Sequence, residues 1–377
     1  MSKFTYLLGA GASIGSIPII SGFIDGLQDF AKFHKEFSLE SELYESKSLI
    51  VNDLAQSQKE FVSKILDLCS RVNDHASIDT LAKKYYLRGD IPNLLELKTI
   101  INEFLIYRQL RFGLDKRYDA FFSAIISNNQ KGGIELPDNI NIISWNYDRQ
   151  VEFSLGQFHE QTRETTDLNH IEKISKIAQV IPNALNNFEF NPDKFSLIKL
   201  NGSVGHYFDG TSDENMRTER FNVNLTKEYY SDQNNLHYIA QTGVVNFEKT
   251  KSRAYSIGSK DTPLYDEPFI SYSWENTKLN QNIRTAAKKA VSDTEYLVVI
   301  GYSFPVYNRR IDKEIIDSMR PTKVFIQNHR DYIDGVVSRF RAFSKVEVEP
   351  IKTVDEFYIP FEYDFPEVNP GLTVSSF

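Results

Sequence analysis

Gly9-Ala10-Gly11-Ala12-Ser13-Ile14-Gly15 places three glycines within seven residues, directly after the apolar run Phe4 to Leu8. Glycine has no Cβ, so backbone N–H groups there can approach a phosphate closely, and a helix N-terminus that follows favours the anion. The spacing departs from Gly-x-Gly-x-x-Gly, because position 14 is Ile and the third glycine falls one residue late. No Gly-Lys-Ser/Thr follows, which argues against a nucleoside triphosphate loop. The competing reading is a plain structural turn after a strand. Trp145-Asn146-Tyr147-Asp148 ends a second apolar run. The Asn146 amide can both donate and accept, and Asp148 can accept a hydrogen bond or counter a developing positive charge. An Asn-Tyr-Asp turn with Asp148 capping the next helix is the alternative. Leu200-Asn201-Gly202-Ser203 ends a third run, with His206 as the nearest titratable group. Asn201 orients a hydroxyl or a water without titrating. A lone histidine in a polar stretch is commonly just solvated. Gly301-Tyr302-Ser303 and Asn328 end two further runs, and both Ser303 and Asn328 also suit caps and turns.

These residues need a frame that gathers strand ends. Apolar runs at 4–8, 141–145, 195–200, 296–300 and 323–327 each stop at a small or polar residue, and 346–351 is a weaker sixth. Helical spacing separates them, which predicts an α/β, Rossmann-like, mostly parallel sheet. Ligands of such sheets bind beyond the carboxyl ends of the strands, where every motif above lies. Residues 24–130 carry Leu, Phe, Ile and Tyr at three- and four-residue spacing with few glycines, the pattern of a large helical insertion. Breaks are expected near Asn73-Asp74 and at Gly89-Asp90-Ile91-Pro92. The expected organisation is a Rossmann-like domain over 1–350 interrupted by that insert. A polar excursion over the site is expected at 204–260, and a draping C-terminal tail at 351–377 with Pro360, Pro366 and Pro370.

The 377 residues, 41% hydrophobic and 13% aromatic, are enough to bury a core and exclude global disorder. A net charge of −8 argues against a surface built to coat nucleic acid. The single cysteine, Cys69, excludes an internal disulfide and a four-cysteine zinc site. No apolar stretch approaches a membrane span, and the N-terminal run is too short for a secretory signal, so a soluble cytoplasmic protein is expected. No metal site is expected.

Taken in order, the motifs resemble those of the sirtuin-like NAD-binding family. Gly9-Ala10-Gly11-Ala12-Ser13 with Ile17-Pro18 looks like the opening motif, and Asn146-Tyr147-Asp148 resembles the Asn-x-Asp motif. Asn201-Gly202-Ser203 matches the His-Gly-Ser motif except at its first position, Gly301-Tyr302-Ser303 resembles Gly-Thr/Ser-Ser, and Ile326-Gln327-Asn328 resembles the final strand ending in Asn. Ser77-Ile78-Asp79-Thr80-Leu81 and Gly301 to Arg309 look like the bacterial sirtuin-like effectors of antiphage defence.

The resemblance implies NAD as substrate. Gly9, Ala10, Gly11, Ala12, Ser13, Gly202, Gly301, Ser303 and Asn328 would line its binding site, and Asn146, Asp148, Asn201 and His206 would serve catalysis. It implies cleavage of the nicotinamide–ribose bond to nicotinamide and ADP-ribose, without a metal. Asn146 would orient the ribose, and Asp148 would meet the nicotinamide carboxamide. Asn at 201 removes the family's histidine base, and His206 is the candidate substitute. The deacylase branch carries a zinc ribbon of four cysteines, which this chain lacks, so NAD hydrolysis is preferred. Expected partners are a HerA-like ATPase or a short Argonaute-type protein, with homo-oligomerisation and no direct nucleic-acid contact. Two alternatives stay open: a catalytically weak NAD or ADP-ribose sensor subunit, and a nuclease subunit of a defence complex.

Overall fold

The computed structural model describes residues 2–40, 44–46, 49–128, 133–158, 174, 176–182, 188–208, 216–218, 233–256 and 267–364. Along the chain, β1 (Phe4–Leu8) leads through a short 3-10 turn, Ala10–Ser13, to α1 (Phe23–Glu36). Four more helices follow: α2 (Leu54–Asn73), α3 (Ile78–Arg88), α4 (Ile91–Phe112) and α5 (Lys116–Ile125). Their boundaries are written locally. Asp53, Ser77, Asp90 and Asp115 each accept a backbone N–H from the first turn of the helix they precede, and Gly89 closes α3 at φ 67°.

The sheet resumes with β2 (Ile140–Ser144), followed by α6 (Gln150–Gln157), β3 (Gln179–Ile181), β4 (Ser196–Lys199) and β5 (Gly202–Phe208). Then come β6 (Met216–Thr218), α7 (Gln233–Ser256) and β7 (Glu267–Ile270). The last part alternates α8 (Lys278–Ala290), β8 (Tyr296–Ile300), α9 (Arg309–Ile316), β9 (Lys323–Gln327), α10 (Ile333–Arg341) and β10 (Val348–Ile351).

Seven strands form one parallel sheet in the order β10-β9-β8-β1-β2-β4-β3. The chain builds outward from β1 in one direction through β2 and β4, then returns to build β8, β9 and β10 on the other side. The strand order therefore reverses at β1, between β8 and β2. Side chains alternate across the sheet. Phe4, Tyr6 and Leu8 of β1 face α5, α6 and the C-terminal segment, whereas Leu7 faces α8, α9 and α10. This is the expected α/β, Rossmann-like architecture with strands buried on both faces. A second, three-stranded sheet in the order β6-β5-β7 lies at its carboxyl edge.

The helical insert has its own core, in which Phe30, Phe61, Ile65, Ile100 and Phe104 are buried. The same core extends to Ile239, Val244, Val245 and Phe247 of α7, to Ile270 at the end of β7 and to Tyr272 just beyond it. Residues 204–260 are therefore not a polar excursion where described. They hold most of β5, the strand β6, and a helix whose apolar face completes the insert. The Asn, Gln, Thr and Tyr of α7 lie between those apolar positions and mask the period. The rest of 204–260, like Lys131-Gly132 and 365–377, lies outside the described residues.

One strand carries no sequence signal and one further expectation changes. β3 is a three-residue edge strand, too short to stand out in sequence. The segment after β10 does not merely drape: Phe357 is buried against Tyr118, ring centroids 4.8 Å apart, and Gln327 Nε2 donates to the carbonyls of Thr353 and Glu356. Among the described residues no helix is long and apolar enough to cross a membrane.

Gly301 ties the sheet together at its centre. It sits at φ 61°, and a Cβ there would lie 2.5 Å from both the Ala12 nitrogen and the Gly11 carbonyl carbon. Gly301→Ala is therefore expected to cost about 2–4 kcal/mol, from left-handed backbone strain plus displacement of the facing turn. Urea denaturation of the two proteins checks it.

Candidate functional site

The carboxyl ends of β1, β2, β4 and β8 meet at the reversal point, where open α/β sheets bind ligands. Gly9 N–H donates to the Ile300 carbonyl at 3.0 Å and Gly11 N–H to the Gly301 carbonyl at 3.0 Å. A Cβ on Gly9 would lie 2.6 Å from the Tyr302 Cα, and one on Gly11 2.8 Å from the Gly301 Cα. These glycines are needed because two turns touch. The amides of Gly9, Gly11 and Ala12 are spent on carbonyls, and the element that follows is a four-residue 3-10 turn. The expected phosphate cradle is thus not formed by those three N–H groups in this conformation.

Asn146 reaches back across β1. Its Nδ2 donates to the Gly9 carbonyl at 2.9 Å and approaches the Ser13 hydroxyl at 3.4 Å. Ser13 is fully buried and also shares a hydrogen bond of 3.1 Å with the Tyr118 hydroxyl. Arg117 closes the other side: it donates to the Gly11 and Ala12 carbonyls at 3.0 and 3.2 Å and pairs with Asp115 at 2.5 Å. Asp115 Oδ2 in turn accepts the Gly15 N–H, and Arg117 above all holds its carboxyl below the usual range against the effect of burial. Sequence reading missed this Asp115–Arg117 pair, since an Asp two residues before an Arg reads as an ordinary helix start.

Asp148 is buried, with Oδ1 accepting the Gln150 N–H at 3.1 Å. It thus closes a tight turn onto the first residue of α6, whose N-cap is Arg149 and carries no side-chain capping bond. Burial raises its pKa, opposed by Lys199 and by the Ser13 hydroxyl. Lys199 is the hub beneath: its ammonium donates to the carbonyls of Tyr147 and Asp148, to Ser203 Oγ at 2.7 Å and to Glu152 at 3.3 Å. Burial pushes that ammonium's pKa down, and Glu152 opposes it.

Asn201 is 7% exposed, and its Oδ1 has no hydrogen-bond partner. A buried amide oxygen left unpaired costs about 1–3 kcal/mol, so such an atom marks a place where a ligand or water completes the structure. His206 lies in β5 rather than a polar loop, is 4% exposed, and its Nδ1 faces the Val204 carbonyl at 3.4 Å. Burial, with Arg149 and Lys199 nearby, lowers its pKa to about 3, so it is neutral and a weak base near pH 7.

Gly202 sits at φ 84° with the Phe269 carbonyl where a Cβ would be, so its role is packing. Ser303 is exposed at the end of β8, beside Phe304 at φ 52°. Asn328 is half-buried, its Oδ1 accepting the His329 N–H. Ala10 is exposed on the outer face of the glycine turn, and Ala12 is fully buried.

The structure adds a buried acid. Asp312 accepts from the Tyr302 hydroxyl at 2.9 Å and from Trp145 Nε1 at 3.1 Å, with the Trp145 and Tyr302 rings stacked 5.9 Å apart. Among the described residues no group of three or more His, Cys, Asp or Glu could hold a metal ion.

No protein-family model matches the chain, and no curated protein matches it. A solved structure described as "The Structural basis of Sirtuin Substrate Affinity" is similar over 93% of this chain and 88% of that one, at 14% identity and a TM-score of 0.34. A likeness that loose carries no weight for function.

Burial raises the Asp312 pKa to about 7 from an ordinary 3.8. The folded state then binds the proton more tightly than the unfolded chain, so this residue's contribution to stability falls as pH rises from about 4 to about 7. Asp312→Asn keeps an acceptor without the charge. Its stability relative to the native protein should therefore improve across that window, as urea melts at stepped pH would show.

Proposed function

We propose that this chain is an NAD hydrolase that cleaves the nicotinamide–ribose bond to give nicotinamide and ADP-ribose. The observation that carries the reading is the tie from Asn146 to the glycine turn at the reversal point of a parallel sheet, with the unpartnered Asn201 oxygen just past the end of the adjacent strand β4. A nucleotide lying over the β1–β8 contact would reach both asparagines from one side. Asn146 has its Nδ2 committed to the Gly9 carbonyl, which leaves the carbonyl end of its amide for a ribose hydroxyl. Asn201 Oδ1 would accept from a second hydroxyl or from water. Departure of neutral nicotinamide leaves an oxocarbenium-like centre that water can trap with modest base assistance. NAD would be the substrate, and these residues would act on it without a metal.

The order of motifs along the chain supports placing this activity in the antiphage-defence branch of sirtuin-like enzymes. There the chain would act as an effector beside a HerA-like ATPase or a short Argonaute-type partner, as a homo-oligomer switched on by assembly. A sensor that binds NAD or ADP-ribose without turnover is the second reading. It is favoured by one observation: Asn201 cannot titrate, and His206 is buried and neutral.

Incubation of the protein with NAD, alone and with the product of the neighbouring gene, is expected to yield nicotinamide and ADP-ribose by chromatography. Asn146→Ala should lower turnover at least 100-fold, the scale on which loss of a positioned polar group acts. An unchanged rate would remove Asn146 from the site. Tight NAD binding without turnover in either condition would establish the sensor reading.

A further inference from the structure

The helical insert contributes a wall to the same cleft. Helix α3 begins at Ser77, whose Oγ accepts the Thr80 N–H, and Thr80 Oγ1 shares a hydrogen bond of 3.0 Å with the Tyr307 hydroxyl in the loop after β8. Its Ile78 packs with Tyr147 and Trp274 against the insert core. The Tyr86 ring lies tilted against Trp274, centroids 4.8 Å apart, and Lys83 lies over the same indole at 4.5 Å. The first turn of α3 is thereby fixed over the segments that leave β2, β7 and β8.

That first turn carries Asp79, which is half-buried and within electrostatic reach of Tyr147, Tyr272 and Tyr302, one tyrosine from each of those three segments. Three buried polar atoms in these segments have no hydrogen-bond partner: Tyr272 Oη, Trp274 Nε1 on the ring stacked against Tyr272, and Asn201 Oδ1 just past the end of β4. Tyr272 is 2% exposed, and its ring stacks on Trp274 at 4.8 Å. Orphaned donors and acceptors of this kind, lying just past the ends of β4 and β7, are the atoms that would line a pocket for a polar ligand.

We propose that Asp79 is the proton acceptor of this pocket, taking the proton of the water that attacks ribose C1′. The inference rests on the hydrolase reading and supplies the base that Asn201 and His206 do not. In the step, the water oxygen forms a bond to C1′ while the C1′–N bond to nicotinamide breaks. The bonding pair returns to the pyridinium nitrogen, which leaves neutral, and the water's proton passes to the Asp79 carboxylate. Asn201 Oδ1 holds the water or the adjacent hydroxyl in line. Tyr272 and Trp274 offer their O–H and N–H to the substrate.

Burial raises the Asp79 pKa above the ordinary carboxylate value, which moves it toward the working range of a base. Tyr147, Tyr272 and Tyr302, which its charge reaches, are all shifted upward and stay neutral near pH 7, and Glu275, which acts on Tyr147 and Tyr272 as well, is paired with Lys98 at 2.8 Å. Lys83, on the same helix, is engaged with the Trp274 ring.

The test compares native protein, Asp79→Asn and Asp79→Glu for NAD turnover against pH, with NAD binding by calorimetry and thermal melting alongside. Asp79→Asn is expected to lower kcat about 100-fold or more and to abolish the acid limb of the rate profile, with NAD affinity within a few-fold of native. Asp79→Glu should recover part of the rate. Native-like turnover by Asp79→Asn, within threefold and with an unmoved acid limb, would overturn the assignment while leaving the hydrolase reading intact. The same holds for an Asp79→Asn that melts early and loses NAD binding, if Asp79→Glu behaves identically; Asp79 would then be structural. Native protein that fails to cleave NAD, with its partner present, would overturn the hydrolase reading and this inference with it.

Discussion

The whole arrangement hangs on how closely two turns approach each other. The turn after β1 and the turn after β8 touch backbone to backbone, with Gly9 and Gly11 on one side and Gly301 and Tyr302 on the other. A single Cβ on any of the three glycines would part them. Because β8 pairs with β1 in register from Phe4–Tyr296 to Leu8–Ile300, both turns leave the sheet at the same height. Asn146 then spans from the neighbouring strand to the Gly9 carbonyl, and Arg117 grips the next two carbonyls. The glycine turn is held on three sides by groups that accept no substitute of different shape or charge.

Beneath it, a buried ammonium sets the relation between the two asparagines. Lys199 collects the Tyr147 and Asp148 carbonyls from the end of β2 and Ser203 from the segment after β4, with Glu152 as its counter-charge. An ion taken this far from water is tolerated only when its donors are matched, and here they are. The effect is to fix the segment carrying Asn146 relative to the segment carrying Asn201 before any ligand arrives. Preorganisation of that sort spares the ordering entropy otherwise lost on binding.

Sequence made the frame legible because parallel strands buried on both faces are continuous apolar runs, and each of the five strong runs coincides with a strand of the sheet. β3 escaped because three residues with a Gln at the edge carry no period. Helix α7 escaped because its Asn, Gln and Tyr outnumber the apolar residues that face the insert. The glycine turn was visible as a motif, yet its reason was not, since only the fold shows that its amides are spent on β8. His206 read as solvated because the longer stretch that follows it is polar, whereas its neighbours in space are Arg149 and Lys199. Asp79 and Asn201 stand 122 positions apart, and no local pattern could pair them.

The bond between Thr80 and Tyr307 fastens the helical insert to the rim of the sheet. On the proposed site, the orphaned Asn201 oxygen rides on the sheet and Asp79 rides on the insert, so the cleft would be shared between two packed bodies. Ligand affinity and the pose of the insert are then linked quantities. Whatever stabilises that pose must strengthen binding by the same factor by which binding stabilises the pose. The outer face of the insert, far from the chemistry, is thus energetically part of it.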